Sequence, residues 1–191
     1  FTSNLPTPSD VEATSFSGYD GLVSEANIIS LWIEQDSVNQ AEESQEVYFA
    51  LDSTPFYAES GGQVGDSGKF KSSNCSGIVL DCKKQGKVFL HKAIIKNGSL
   101  KVGNKINVSV SSSKRHATAI HHSATHLLHS ALKEVLGDHV QQKGSQVDSE
   151  KLRFDFAHSK PVSSEELSKI EALVNDQVLH NSKVDTNEMD L

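Results

Sequence analysis

The sequence predicts an α+β fold in which a small antiparallel β-barrel is followed by two helices. Three observations support this prediction. Between Val47 and Val110, short apolar runs alternate with turn pairs that contain Gly or Asn, a pattern typical of small all-β units. Near Lys114 the apolar period changes from that of strands to that of a helix. A helix-capping sequence then begins at Ser163.

The first part of the chain is predicted to be a lead-in followed by strands. Residues 1–20 are rich in Ser, Thr, Pro and acidic residues and are expected to be flexible. The first strand is expected at Ile28–Ile33, and the acidic run Gln35–Glu46 is expected to be a solvated loop. Later strands are predicted at Val47–Leu51, Gly77–Leu80, Val88–Ile95 and Ile106–Val110. The turn pairs are Gly61-Gly62, Gln85-Gly86, Asn97-Gly98 and Gly103-Asn104. Residues 21–112 are therefore expected to form the barrel.

The second part, residues 113–191, is predicted to contain two helices with two strands between them. A helix is expected from Lys114 to Leu136, ended by Gly137 as a left-handed C-cap residue. Strands are expected at His139–Val147 and Leu152–Phe156, the second because Leu152, Phe154 and Phe156 alternate with charged residues. Ser163 and Glu166 form a capping box. The apolar stripe of the helix that follows is Leu167, Ile170, Leu173, Val174 and Val178.

Charge is distributed unevenly along the chain. Residues 1–60 contain eleven Asp or Glu and no Lys or Arg, so their net charge is -11. Residues 61–191 contain all 18 basic residues and 14 acidic ones, a net of +4, and the two parts sum to -7. A nucleic-acid partner requires clustered positive charge. We therefore expect any RNA contact to lie in the later two thirds of the chain.

The sequence contains features that bear on redox state and targeting. Cys75 and Cys82 are its two cysteines. Their spacing is not that of a zinc ribbon, and buried, idle thiols in a reducing compartment are expected. The sequence contains neither a secretory signal pattern nor an apolar run near the ~18 residues of a membrane span. A cytoplasmic chain cut from a longer one at both ends is expected, because the first residue is Phe1.

Histidines are concentrated in the first predicted helix. Five of the nine lie between His116 and His129. At about 100° per residue, His122, His126 and His129 fall within roughly 60° of one another. Ala124, Leu127, Ala131 and Val135 lie on the other side, so the imidazoles are expected to face away from the core.

Two imidazoles four residues apart on a helix can share one zinc ion. The alternative is a polar helix face that is rich in histidine by chance, and the residue pattern leaves both interpretations open. Ser123 follows His122 where a metalloprotease would have Glu. Because tetrahedral zinc requires more than two ligands, a complete site needs His129, a remote Cys or ligands beyond Leu191.

Four segments of the chain are similar to motifs of one enzyme family. The thirteen-residue block Thr54–Asp66, which reads TPFYAESGGQVGD, is similar to the signature that opens the barrel of alanyl-tRNA synthetases. His122–His129, which reads HSATHLLH, is similar to the start of their editing domain. Gln142–Ser145 and Leu152–Phe156 also match. The resemblance runs in order from about Phe16 to Leu191 and favours the full synthetase over freestanding editing relatives.

The resemblance implies a barrel similar to domain 2 of elongation factor Tu, followed by the N-terminal half of the editing domain. It implies that the whole enzyme joins alanine to tRNA(Ala) with ATP and Mg²⁺ in a domain absent from this sequence. The editing domain would hydrolyse tRNA wrongly charged with serine or glycine. Zinc would be bound by His122 and His126, with a later Cys-Gly-Gly-Thr-His stretch that this chain lacks. The isolated segment is therefore expected to be inactive.

The resemblance also places Thr125, Gln142 and Ser145 in the lining of the editing pocket. Thr125 and Gln142 are expected to face one cleft and to select serine through its hydroxyl. Their alternative roles are a hydroxyl on the helix surface and an exposed strand amide. Gly61, Gly62 and Gly65 are expected at turns or near the tRNA end. Lys114, Arg115, Lys143 and Arg153 are candidates for phosphate contacts or solvated surface charges.

Two other functions remain open from the sequence. One is a noncatalytic module in which the barrel and helices bind the tRNA acceptor end. The other is a freestanding metallohydrolase that uses His122, His126 and His129. The sequence leaves the oligomeric state undetermined.

Overall fold

The computed structural model describes residues 5–182. The first four residues of the predicted lead-in and residues 183–191 of the predicted editing half lie outside this range. The strands are β1 Ser15–Phe16, β2 Val23–Ile33, β3 Asp36–Ser37, β4 Gln40–Ala41, β5 Glu46–Leu51, β6 Ser53–Thr54, β7 Gly68–Lys71, β8 Cys75–Gln85, β9 Val88–Gly98, β10 Leu100–Lys101, β11 Lys105–Val110, β12 Gln141–Val147 and β13 Leu152–Ala157. The helices are α1 Ser112–Leu136 and α2 Ser164–His180.

Six strands form a closed antiparallel barrel. Their order is β11-β7-β8-β9-β5-β2, and β11 also pairs with β2, which closes the sheet. Inward-facing side chains of these strands fill the barrel, and Phe49 and Phe70 are fully or almost fully buried. The fold class predicted from the sequence, a small antiparallel barrel followed by an α+β arrangement, is confirmed at this level. Within residues 5–182, neither helix combines the length and hydropathy that crossing a bilayer requires.

Two of the predicted turn pairs, Gln85-Gly86 and Gly103-Asn104, lie at turns between strands, whereas Asn97-Gly98 belongs to the end of β9 and pairs with β8. A two-residue loop, Gly86–Lys87, connects Gln85 of β8 to Val88 of β9. Gly86 has φ 61 there, a conformation that glycine adopts without steric cost. The acidic run predicted as a loop, Gln35–Glu46, contains the two short strands β3 and β4. Both predicted thiols, Cys75 and Cys82, are free and buried in the barrel.

The described part of the lead-in is bonded to the barrel. Strand β1 pairs in parallel with β6, and the Ser15 amide donates to the Asp52 carbonyl at 2.9 Å. The Phe16 ring lies 6.0 Å from that of Phe89 between centroids. The prediction of a flexible segment over residues 1–20 is therefore wrong for the residues that make these contacts. Apolar residues scattered in a Ser- and Pro-rich segment do not form a detectable period, although each can still bury surface.

The second part packs two helices against the β12–β13 hairpin. Its core consists of Ala131, Leu132, Val140 and Ile170, with Phe154 and Phe156 of the hairpin packed against it. The predicted capping box is confirmed, since the Ser163 hydroxyl accepts from the Glu166 amide and the Glu166 carboxylate accepts from the Ser163 amide. The stripe of α2 is only partly covered: Leu167 and Val178 are 54% and 57% exposed.

Helix α1 ends at Leu136 as predicted, but its cap is different. Gly137 has φ 114 and ψ 163, outside the left-handed helical region that was expected. Its amide donates to the Lys133 carbonyl at 2.9 Å, which satisfies one carbonyl of the last turn. The glycine therefore turns the chain directly into the extended segment that leads to β12.

A buried histidine organises the polar part of the barrel core. His91 is fully buried, and its Nδ1 lies 3.1 Å from the Phe49 carbonyl oxygen. Because a carbonyl only accepts, Nδ1 carries the hydrogen and Nε2 accepts from the Thr54 hydroxyl at 2.8 Å. Both ring nitrogens are therefore satisfied with the imidazole neutral. Burial lowers the pKa of His91 to about 4.

We expect His91 to make the barrel sensitive to acid. The unfolded chain binds a proton near pH 6.5, whereas folded His91 does so only near pH 4, so the unfolded state holds more protons between these values. The free energy of unfolding should therefore decrease as the pH is lowered from 6.5 to 4, by about 3 kcal/mol in total. Urea unfolding at several pH values checks this. His91→Gln should reduce by about one the number of protons that are taken up on unfolding between pH 6.5 and 4. An unchanged slope in His91→Gln would contradict the prediction.

Candidate functional site

The first turn of α1 is joined to the barrel by an ion pair between a half-buried arginine and a buried carboxylate. The Arg115 Nε donates to both carboxylate oxygens of Asp66, at 3.1 and 3.0 Å. The same guanidinium donates to the carbonyls of Pro55, at 2.8 Å, and Gly18, at 3.2 Å. The side chains of Arg115 and Asp66 are 18% and 7% exposed. The expectation that Arg115 contacts phosphate or is a solvated charge is therefore wrong, because protein acceptors occupy its donors.

The other basic candidates lie at the surface. Arg153 pairs with Asp155, with Nη2 3.0 Å from Oδ2, and both side chains are largely exposed. Lys143 is exposed in β12, and Lys114 is exposed at the start of α1. Lys114 lines a cleft of about 350 Å³ between the barrel, α1 and the β12–β13 turn.

A glycine-containing loop of the barrel pairs with strand β12. The Val64 amide donates to the Val147 carbonyl at 3.0 Å, and the Val147 amide donates to the Gly62 carbonyl at 2.8 Å. Gly62 has φ 85, and a Cβ built on it would lie 2.4 Å from the Ser145 Oγ. The backbone of Gly62 therefore lies directly against Ser145. Gly61 also has a positive φ, as expected for a turn, whereas Gly65 is required because Cys82 approaches it closely.

A residue of this loop contacts the histidine face. The Oε1 of Gln63 lies 2.6 Å from the Nδ1 of His122, and Gln63 is only 8% exposed. One helical turn later, the His126 ring lies 5.1 Å from that of His122 with 28° between their planes. Burial, and then the proximity of His126, lowers the pKa of His122. His122 is therefore the half-buried member of a pair of neighbouring imidazoles.

A β-bulge places two predicted pocket residues on one face of the hairpin. Ser145 pairs with Phe154 and Gln142 pairs with Phe156, with the register shifted between Gln142 and Gly144. Directly opposed residues share a face, and residues two apart in a strand share a face. Gln142 and Ser145 therefore both lie on the face of Phe154, although they are three residues apart. Phe154 packs into the core between the hairpin and the helices.

Thr125 and His129 lie on the same side of α1, next to the hairpin. The Thr125 hydroxyl donates to the His121 carbonyl at 2.8 Å, and the residue is 7% exposed. The His129 ring lies 5.1 Å from that of Phe154. Its Nε2 is buried and has no hydrogen-bond partner among the described residues.

The histidine face of α1 therefore packs against the barrel loop and the hairpin. The prediction that the imidazoles face away from the core is wrong for His122, which contacts the barrel loop, and for His129, which packs against Phe154 of the hairpin. On the opposite side, Ile120 is 54% exposed. On the predicted apolar side of α1, Ala131 and Val135 pack into the core that α2 helps to form.

The structure brings together part of the predicted site. His122 contacts both Gln63 and His126, Ser145 contacts Gly62, and Gln142 shares the face of Ser145. Within residues 5–182, no group of three His, Cys, Asp or Glu side chains is arranged to bind a metal ion. Among the described residues, His122, His126 and His129 therefore do not form the three-histidine metal site that the freestanding hydrolase alternative requires. His122 and His126 are suited to supplying two of four ligands.

Sequence reasoning missed Gln63 and the structural role of Arg115. Gln63 lies within the block that carries the resemblance, beside the glycine pair. That position marks the segment as important but does not indicate the partner of the amide. The contact depends on how a barrel loop meets a helix 59 residues later, which local patterns do not specify.

The family model and the relatives that match this chain point to the same family of proteins. Residues 3–114 match the protein-family model described as tRNA synthetases class II (A). The chain is 46% identical over 179 residues to an alanine–tRNA ligase of Pseudomonas fluorescens, and 48% identical over the same length to that of Pseudomonas entomophila. An alanine–tRNA ligase of Saccharophagus degradans is 47% identical over 178 residues. These matches cover 93–94% of this chain and 20% of each relative. The chain thus spans about a fifth of the length of these relatives.

The contact between Gly62 and Ser145 predicts a difference between neighbouring glycines. Gly61→Ala should cost about 1–2 kcal/mol of unfolding free energy, because its φ of 60 strains any other residue but the space around it is open. Gly62→Ala has the same kind of strain and in addition displaces Ser145, so it should cost more. Urea unfolding of the two variants checks this. Equal destabilisation would mean that the loop and β12 are not in contact.

Proposed function

Because the chain belongs to the class II (A) tRNA synthetases and corresponds to a segment of alanine–tRNA ligases, we propose that it is the barrel and first half of their editing module. The whole protein would join alanine to tRNA(Ala) with ATP and Mg²⁺, using a domain outside this sequence. This segment would contribute to the hydrolysis of tRNA(Ala) wrongly charged with serine or glycine.

One observation carries the proposal. The barrel loop, helix α1 and strand β12 meet at a single junction, where Gln63 contacts His122 and Gly62 contacts Ser145. The junction gathers three of the motifs that resemble alanyl-tRNA synthetases. A surface made from separate elements, with polar groups converging on it, is typical of a substrate site.

We assign His122 and His126 as two zinc ligands. Their rings are neighbours on one helix face, and the Nδ1 of His122 is occupied by Gln63, which leaves Nε2 with its lone pair. The remaining ligands would come from parts of the protein outside residues 5–182. When bound, zinc would polarise the ester carbonyl and lower the pKa of an attacking water.

Thr125, Gln142 and Ser145 would line the pocket that selects serine. The hydrogen of the Thr125 hydroxyl is donated to the His121 carbonyl, so its oxygen would act as an acceptor for the hydroxyl of serine. Gln142 can donate or accept through its exposed amide, and Ser145 lies on the same face. A site that satisfies a substrate hydroxyl can discriminate strongly against an analogue that lacks it, and alanine is such an analogue.

A second candidate function is supported by the incomplete ligand set. With two metal donors at the junction and no third among residues 5–182, the segment on its own would bind the tRNA acceptor end without hydrolysing it. Deacylation of seryl-tRNA(Ala) by this chain separates the two functions. Binding without turnover supports the acceptor-end module, and turnover supports hydrolysis by the segment itself.

Replacement of Gln142 should impair editing without affecting alanine activation. In the full-length protein, Gln142→Ala should raise the amount of seryl-tRNA(Ala) that accumulates, because the pocket loses a partner for the serine hydroxyl. Alanine activation, measured by ATP–pyrophosphate exchange, should stay at the wild-type level. Gln146→Ala is the matched control, since Gln146 pairs with Arg153 on the opposite face of the hairpin. Wild-type levels of serine mischarging in Gln142→Ala would refute the role of Gln142.

Replacement of a proposed ligand should release zinc. His126→Ala in the full-length protein should reduce bound zinc from about one per chain to a small fraction of that after dialysis, because a structural or catalytic site rarely tolerates the loss of a ligand. Metal analysis of the purified protein measures this. His116→Ala, on the exposed side of the same helix, should retain wild-type zinc. If His126→Ala retains full zinc, the ligand assignment is wrong.

A further inference from the structure

We infer that Gln63 is a positioning residue that sets the tautomer and orientation of His122, so that the barrel prepares a ligand of the editing domain. The inference rests on the proposed function for its purpose, since it treats His122 as a zinc ligand. The hydrogen bond itself can be tested without metal.

The tautomer follows from the chemistry of the contact. The Gln63 Oε1, at 2.6 Å from the His122 Nδ1, is a carbonyl oxygen that can only accept. Nδ1 must therefore carry the hydrogen, and in the neutral ring Nε2 then has the free lone pair. Without this partner, both tautomers of the imidazole would be populated, and part of the protein would present a protonated Nε2.

Gln63 itself is firmly located. Its backbone N–H donates to the backbone carbonyl of Ser60 at 3.0 Å, and its backbone carbonyl accepts from the backbone N–H of Ser60 at 3.2 Å. The residues on either side, Gly62 and Val64, both bond to Val147 of β12. With 8% of its surface exposed, the side chain has little freedom to leave His122. The backbone of the barrel loop therefore fixes the position of the Gln63 side chain, which in turn orients the imidazole of His122.

Metal-binding histidines usually donate their second nitrogen to an oxygen acceptor, and loss of that acceptor typically lowers metal affinity 10- to 100-fold. In the proposed site, Gln63 would supply this acceptor from a different structural unit. The quality of the zinc site would then depend on correct docking of the barrel against α1.

The test uses the full-length protein with three substitutions. Gln63→Met removes the acceptor with little change in volume, Gln63→Glu retains an oxygen acceptor, and Gln146→Ala is a surface control on β12. Zinc affinity is measured by competition with a chelator. We expect a 10- to 100-fold loss in Gln63→Met and values within about threefold of wild type in the other two. Equal affinity in Gln63→Met and wild type would overturn the inference.

A second measurement separates this inference from the proposed function. In zinc-free protein with ¹⁵N-labelled histidine, the His122 signals, identified by their loss in His122→Ala, report the tautomer. We expect Nδ1–H in wild type and Gln63→Glu, and a mixture of tautomers in Gln63→Met. An Nε2–H form in wild type, or an unchanged tautomer in Gln63→Met, would overturn it. If wild type binds no zinc while the tautomers behave as expected, only the zinc role in the proposed function fails.

Discussion

The ion pair between Arg115 and Asp66 is the contact on which the arrangement of the two parts depends. A buried carboxylate that loses its cation costs about 3–5 kcal/mol, so Asp66 and the first turn of α1 must stay together. The same guanidinium bonds to carbonyls of Pro55 and Gly18, which joins the lead-in, the barrel loop and the helix at one point. From this anchor the helix continues for about two turns to His122, where the second contact with the barrel, through Gln63, is made.

Much of the fold could be predicted from local patterns. Alternation and turn residues identified five of the six barrel strands and missed the shortest, β7, and the predicted helix from Lys114 agrees with α1 within two residues at its start. The capping box at Ser163 was recognisable because its two bonds are local. Closure of the barrel by β11 and β2, and the pairing of β1 with β6, join residues far apart in sequence, so no local pattern specifies them. The conformation of Gly137 likewise depends on where the next strand lies.

The sequence predicted which residues belong to the candidate site better than it predicted which partners they contact. Helical spacing correctly placed His122 and His126 side by side, because that geometry is local. The predicted exposure was wrong for His122 and His129, because the barrel loop and the hairpin that cover them are tertiary features. Arg115 was misjudged for a similar reason: a half-buried, paired arginine and a solvated one are identical in sequence, and only the distant carboxylate distinguishes them.

The bulge in β12 has a consequence for comparisons between related proteins. Lys143 is the extra residue that shifts the register between Gln142 and Gly144. In a regular strand, residues three apart face opposite ways, so a relative with the same spacing but no bulge would turn its own glutamine to the face opposite the serine. The residue that follows the glutamine would then share the face of the serine. At this position, identity in an aligned sequence and equivalence in space are separate properties.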